Sequence, residues 1–306
     1  MSHHHDHGQE LTATGSHRRR LIAVAILTVA MFVAEVIGGL ASGSLALLAD
    51  AAHLLTDSAG LVIALIAAML AARPATKRRT FGMRRAEILA AGLNALLLLG
   101  IGVSVLVNAI QRWGRPAEIS TGVMLWVAVA GAVVNVVGLL ILRGGREESL
   151  NVRGAYLEVL GDLLGSVAVI AAAVLIQLTG WSAFDSIAAL AVFAMILPRA
   201  WSLLREVLDV LLEATPNGVD LDDVRGHLLE NPEVVDVHDL HAWTITSGSA
   251  VLSAHVVVSA ECIAQGRSCR TLDELNSCLA EHFDLEHCTL QLEPQAHSDH
   301  EQALHA

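Results

Sequence analysis

The sequence predicts an all-α membrane domain of six transmembrane helices followed by a smaller C-terminal α+β domain in water. Three observations carry that expectation. Of 306 residues, 54% are hydrophobic and only 16% charged, with a mean hydropathy of +0.57, too apolar for an ordinary soluble chain. Six apolar segments, near 21–40, 45–71, 87–111, 120–142, 154–178 and 182–204, are each long enough to span a bilayer. Beyond residue 212 such runs stop, and acidic residues, histidines and all four cysteines gather there.

Residues 1–17 hold His3, His4, His5, Asp6, His7 and His17 without apolar periodicity, and read as a disordered tail, either metal-collecting or merely loose. Arg18, Arg19 and Arg20 then open the membrane domain, 18–212. They resemble the charged start of a signal peptide, but the run behind them is near twenty residues and five more spans follow, so it reads as an uncleaved first helix. Positive charge sets the orientation. With both termini cytosolic, the inner flanks hold residues 18–20, Arg73, Lys77, Arg78, Arg79, Arg84, Arg85, Arg143, Arg146, Arg153, Arg199 and Arg205. The outer flanks hold only Arg112 and Arg115, so fourteen basic residues face two. Trp113 and Trp181 fall at the outer interface, as aromatic belts do.

The second domain spans 213–295. Thr215-Pro216-Asn217-Gly218 reads as a linker, followed by a helix (221–230), strands (234–245 and 250–259), a helix (271–283) and a last strand (286–293). Strand alternation puts Leu252, Ala254, Val256 and Val258 on one face with His255 opposite. In the last strand Cys288, Leu290 and Leu292 face the core while His287, Gln291 and Glu293 face away. Residues 296–306 read as a disordered tail. No CxxC pair occurs, so the cysteines read as free thiols in a reducing compartment. A net charge of -12 with 15 histidines fits cation handling and argues against nucleic acid as a partner.

The chemistry is written in the apolar runs. His53 is the only histidine between His17 and His227, and it stands four residues before Asp57, so both project from one helix face. Glu158 and Asp162 repeat that spacing in another run. Ionisable groups are costly in hydrocarbon, so His53, Asp57 and the nearby Asp50 suggest an ion pathway. Two helices offering two ligands each can build a four-coordinate metal site from His53, Asp57, Glu158 and Asp162. Gly161 and Gly165, with Ala51, Ala52, Ala59 and Gly60, let those helices approach. Asn94, Asn108 and Asn135 read as polar glue between helices, and Glu35 as glue or a relay. A second metal site, on the open face of the soluble domain, would draw on His238, His241, His255, His287 and Glu293. No HExxH and no nucleophile paired with a base is present, so the sequence carries no sign of an enzyme.

Four stretches together resemble the cation diffusion facilitator family, bacterial zinc-exporter type. They are SLALLADAAHLLTD from Ser44 to Asp57, FGMRRAEILAA from Phe81 to Ala91, LNVRGAYLEVLGD from Leu150 to Asp162, and HDLHAW from His238 to Trp243. The resemblance covers nearly all of residues 15–295. It implies a homodimer in the bacterial inner membrane, with six helices and a ferredoxin-like cytosolic domain per subunit. It also implies outward movement of a divalent metal in exchange for protons, with His53, Asp57 and Asp162 as transport ligands. Zn²⁺ would then be cargo and possible regulator, and no tightly bound cofactor is expected. One position departs: zinc-type members usually carry His where this chain has Glu158. A carboxylate can ligate zinc, yet a carboxylate-rich set suits Mn²⁺ better than a His-rich one and leaves Fe²⁺, Co²⁺ and Cd²⁺ open. The loop from Thr76 to Arg85 holds no His or Asp, so the loop site of some relatives is not expected. A membrane metal sensor that binds without transporting is the reading from another class.

Overall fold

The computed structural model describes residues 7–113, 118–144, 150–246, 248–283, 285–298 and 300. Six long helices come first: α1 (His7–Ser42), α2 (Leu45–Ala71), α3 (Ala86–Arg112), α4 (Thr121–Arg143), α5 (Leu150–Thr179) and α6 (Ala183–Leu211). Each contains a stretch long and apolar enough to cross a membrane. Their outer surfaces carry bare aliphatic side chains such as Ile26, Leu40, Leu61, Leu140 and Leu178, an apolar surface that water would not tolerate but lipid would.

The chain divides into two compact units, 1–63 with 93–203, and 64–92 with 204–306. In the first, Leu47, Met124, Ala128, Val169, Ala173 and Ala189 form one buried cluster, and Val24, Leu142, Val152 and Val159 another. Small residues set the spacing. A methyl group added at Gly131 would lie 3.0 Å from Met31 Cε and 3.2 Å from Ser166 Oγ. The start of α2 is capped from another helix. Asp185 on α6, 1% exposed, accepts from Ser44 Oγ (2.6 Å), Leu45 N (2.7 Å) and Ala46 N (3.1 Å). Arg112 lies 3.8 Å from the same carboxylate and donates to the carbonyl of Gly43. Helix dipole, amide donors and guanidinium together make that buried charge tolerable.

One expectation is corrected here. Residues 7–17 are not a loose tail but the first turns of α1. Once the apolar part of a helix is formed, each further residue adds a hydrogen bond without a new nucleation cost, and Glu10, Leu11 and Ala13 are good helix formers. His3, His4, His5 and Asp6 lie outside the described residues. At the other end, α6 runs through Pro198 and continues to Leu211, beyond the apolar segment that marked it.

The second unit contains α7 (Leu221–Leu229), β1 (Val234–Thr246), β2 (Ser249–Val258), α8 (Ala260–Ala264), α9 (Ser268–Phe283), β3 (Leu285–Pro294) and α10 (Gln295–Ser298). The sheet order is β1-β2-β3, with β1 and β2 antiparallel and β2 and β3 parallel. A parallel pair needs a crossover, and α8 and α9 supply it. This is the expected α-β-β-α-β order with two short helices added. The sequence missed α8, which is capped by Ser259 accepting from Cys262 N. It also missed α10, which falls on residues 295–298 where an unstructured end was expected. Leu252, Ala254, Val256 and Val258 pack on Val224, Leu228, Leu275 and Leu279, joined by Cys288, Leu290 and Leu292. The strand alternation is therefore as the sequence indicated, and the opposite face of β2 carries Ser253 and His255 between the buried Val251 and Val257.

Candidate metal centres

On α2, His53 and Asp57 stand one turn apart, and on α5 so do Glu158 and Asp162. The first unit brings these two pairs together. His53 Nε2 is 3.4 Å from Asp57 Oδ2 and 3.8 Å from Asp162 Oδ1, so this nitrogen faces both carboxylates. Glu158 hydrogen-bonds to Asp57. His53 Nδ1, Asp57 Oδ2 and Asp162 Oδ1 are buried and have no hydrogen-bond partner. Each such atom costs about 1–3 kcal/mol, and the two carboxylate oxygens that face His53 Nε2 call for a ligand that can bond them. A cavity of about 120 Å³ adjoins His53 and Glu158 but not Asp57 or Asp162, and is lined also by Asp50, Gly161, Gly165 and Arg199. That is ample for a desolvated ion.

Arg199 is the residue that sequence reasoning missed at this site. It was counted only as a flank charge, but its Nη1 reaches to 3.6 Å from Glu158 Oε1. Asp50 is part of a buried carboxyl pair with Glu35, to which it hydrogen-bonds. Gly165 leaves room for Asp50, since a methyl group there would meet Asp50 Oδ1 at 3.0 Å. Of the asparagines, Asn135 crosses helices to Ser166 Oγ (3.4 Å), while Asn108 turns back to Ser104 of its own helix. Asn94 packs against Gly60, and its Oδ1 has no partner.

The soluble domain holds a tighter group. His238, His255 and Glu293 present ligand atoms that all lie within 4.8 Å of one another. His238 Nε2 is 2.7 Å from Glu293 Oε1, and His255 Nδ1 is 3.7 Å from Glu293 Oε2. The sheet builds this directly, because β1 pairs His238 with His255 and β3 pairs Gln291 with His255 and Glu293 with Val257. Glu293 is only 2% exposed, and Gln291 donates to it at 3.2 Å. His297 on α10, not singled out from sequence, lies 3.8 Å from the same carboxylate.

The other two candidates stand elsewhere on that face. His241 pairs with Ser253 and lies 3.1 Å from Asp239. His287 pairs with Val251, four residues or about 13 Å along β2 from His255 at ~3.3 Å per residue, and its ring meets Phe81 edge-on. A bulge decides the first of these. The register shifts between His238 and His241, and Asp239 takes a positive φ of 49° there.

Six spans enclosing a cluster of unsatisfied His and Asp ligands define the class: an integral membrane transporter of metal cations. The chain belongs to the cation efflux family. The model of the cation efflux transmembrane domain matches residues 21–212, and that of the cation efflux protein cytoplasmic domain matches 216–295. A metal cation efflux system protein, CzcD of Cupriavidus metallidurans, is 46% identical over 291 residues, 95% of this chain and 89% of that one. The zinc transporter ZitB of Escherichia coli is 40% identical over 297 residues, covering 96% and 93%. A cadmium, cobalt and zinc/H(+)-K(+) antiporter of Bacillus velezensis is 38% identical over 306 residues, covering 97% and 94%. The chain is accordingly a metal cation efflux transporter and not an enzyme. The cytoplasmic module it matches is a dimerisation domain, which supports a homodimer.

Proposed function

We propose that this chain exports divalent transition-metal cations, Zn²⁺ foremost, from the cytosol in exchange for protons, by alternating access around His53, Asp57, Glu158 and Asp162. The observation that carries the reading is the approach of His53 Nε2 to Asp57 and Asp162, whose facing carboxylate oxygens are buried without a partner. With the site open inward, the metal displaces protons from these groups. Facing outward, protons compete the metal off, because each ligand binds metal only when deprotonated. A relative named as a zinc transporter supports the metal half of this exchange, and one named as a cadmium, cobalt and zinc/H(+)-K(+) antiporter supports the proton half. The fourteen-to-two bias in basic flanks supports insertion in a bacterial inner membrane with both termini in the cytosol.

Arg199 bears on the choice of metal. Glu158 adds a negative charge where a neutral His would be expected, and the guanidinium lies 3.6 Å away. That exposed guanidinium offsets the charge only in part and the donor remains a carboxylate oxygen, so the relative named as a zinc transporter is what favours zinc over the manganese reading that Glu158 invites. We further propose that His238, His255 and Glu293 hold a regulatory metal.

Metal uptake into proteoliposomes under a pH gradient tests the main proposal. Wild-type protein should move Zn²⁺ faster than Mn²⁺, with proton movement in the opposite direction, and His53→Ala should abolish uptake while the protein still folds. Undiminished uptake by that variant would sink the site assignment. Binding without flux in the wild type would favour the sensor reading instead.

A further inference from the structure

One opening in the second unit lies apart from His238, His255 and Glu293. A cleft of about 1070 Å³ lies beside the α2–α3 loop, with Arg78, Arg79, Arg84 and Arg85 on one wall and His241 and Trp243 of β1 on the other. Glu213 is the only carboxylate among its described lining residues, and it is already paired with Arg85 at 3.2 Å. Arg84 donates to Ser249 Oγ, and Thr246 donates to Glu87, which tie the loop and the start of α3 to the sheet. Arg78 and Arg79 are exposed and have no side-chain partner among the described residues. From Arg73 to Arg85 the chain carries six basic residues and no acidic one.

Orientation in the membrane accounts for an excess of positive charge on this loop, but not for a cleft with a second wall. The loop joins two membrane-spanning helices directly, since α2 ends at Ala71 and α3 begins at Ala86. Its guanidinium groups are therefore held at the level of lipid headgroups. The same cleft is lined by Leu89, which is 61% exposed on α3 and leads from the arginines onto the lipid-facing surface. A free anion would use the charged end alone. A ligand with a phosphate head and apolar tails would use both.

We propose that this cleft binds the phosphate of an acidic phospholipid headgroup, held by Arg78 and Arg79 with its acyl chains along α3. A guanidinium fork matches a phosphodiester in shape as well as charge. Clusters of basic residues immediately cytosolic of a membrane helix attract anionic lipid. The site is separate from the metal ligands, so it stands or falls independently of the transported ion.

The test uses the full-length protein, delipidated in non-ionic detergent and titrated with phosphatidylglycerol, phosphatidylcholine or inorganic phosphate, with bound molecules counted by native mass spectrometry. Phosphatidylglycerol should bind and phosphatidylcholine should not compete with it. The R78Q/R79Q variant should bind phosphatidylglycerol about thirty-fold more weakly, from two lost charges, while R78K/R79K, which keeps the charge but loses the fork, should fall between the two. Thermal unfolding of R78Q/R79Q should match the wild type, because both side chains are exposed. Raising the salt concentration should weaken the lipid complex. Equal phosphatidylglycerol binding by wild type and R78Q/R79Q would overturn the proposal, as would equal binding of the two lipids. If inorganic phosphate displaces phosphatidylglycerol at equal concentration, the lipid assignment falls and a free oxyanion takes its place.

Discussion

Arg199 and Glu158 show how one residue changes the meaning of another. Sequence spacing alone gives Glu158 as a fourth, negative ligand, which points towards harder cations. A guanidinium 3.6 Å away offsets part of that charge as seen from the metal. Both side chains are partly exposed, so the pair is worth no more than about 1 kcal/mol. Removing it should still tilt affinity. Arg199→Gln is expected to bind Mn²⁺ up to about five-fold more tightly, with a smaller gain for Zn²⁺. Competition binding at fixed pH on purified protein reads this, and identical Mn²⁺ affinity in the two proteins would show that Arg199 plays no part in selectivity. His53, Asp57, Glu158 and Asp162 were legible because a four-residue spacing on a helix fixes a shared face. Arg199 was not legible, because its approach depends on where α6 packs, and no local pattern encodes that.

At the level of the element, the glycines on α5 divide by what surrounds them. A methyl group at Gly165 would lie 3.0 Å from Asp50 Oδ1, on a side chain that is buried and hydrogen-bonded to Glu35 and so has nowhere to go. At Gly161 the same group would meet nothing within 4 Å. Gly165→Ala should therefore push α5 away from α2 and cut metal uptake at least about ten-fold, while Gly161→Ala keeps most of it. Similar rates for the two variants would mean that the approach of these helices is not critical.

The start of α2 makes a second case. Asp185→Ala leaves two backbone amides and Ser44 without their acceptor and should lower stability by roughly 2–3 kcal/mol, read as a fall in the thermal midpoint in detergent. A midpoint within error of the wild type would contradict the capping role. Nothing in the sequence marked that cap, because an aspartate in the first turn of α6 looks like any boundary residue until its partner helix is in place. The existence of the six helices was plain from hydropathy. The extra turns of α1 were not, since they continue a helix already nucleated rather than carry an apolar signal of their own.

At the scale of the whole molecule, the chain carries two candidate centres in unlike surroundings. One lies among apolar helices, where Asp162 is buried and His53 and Asp57 are largely so. The other lies on a strand face where His238 and His255 remain partly exposed and Glu293 is buried. Strand alternation identified that face, but not which rows would meet. The bulge at Asp239 and the parallel β2–β3 register chose His238, His255 and Glu293 and left His241 and His287 apart. A set reachable from water would equilibrate with free metal and so suits the regulatory role proposed for it, whereas the set among the membrane helices suits the proposed cargo role. The two roles predict different failures. His255→Ala should leave the saturated uptake rate within about two-fold but raise the metal concentration for half-maximal uptake at least about ten-fold, whereas loss of a cargo ligand removes the rate itself. Uptake curves over a range of metal concentrations in proteoliposomes separate these patterns. A His255→Ala curve that overlays the wild type would leave the cytosolic group without a regulatory role. A collapse of the saturated rate would make it part of the transport path.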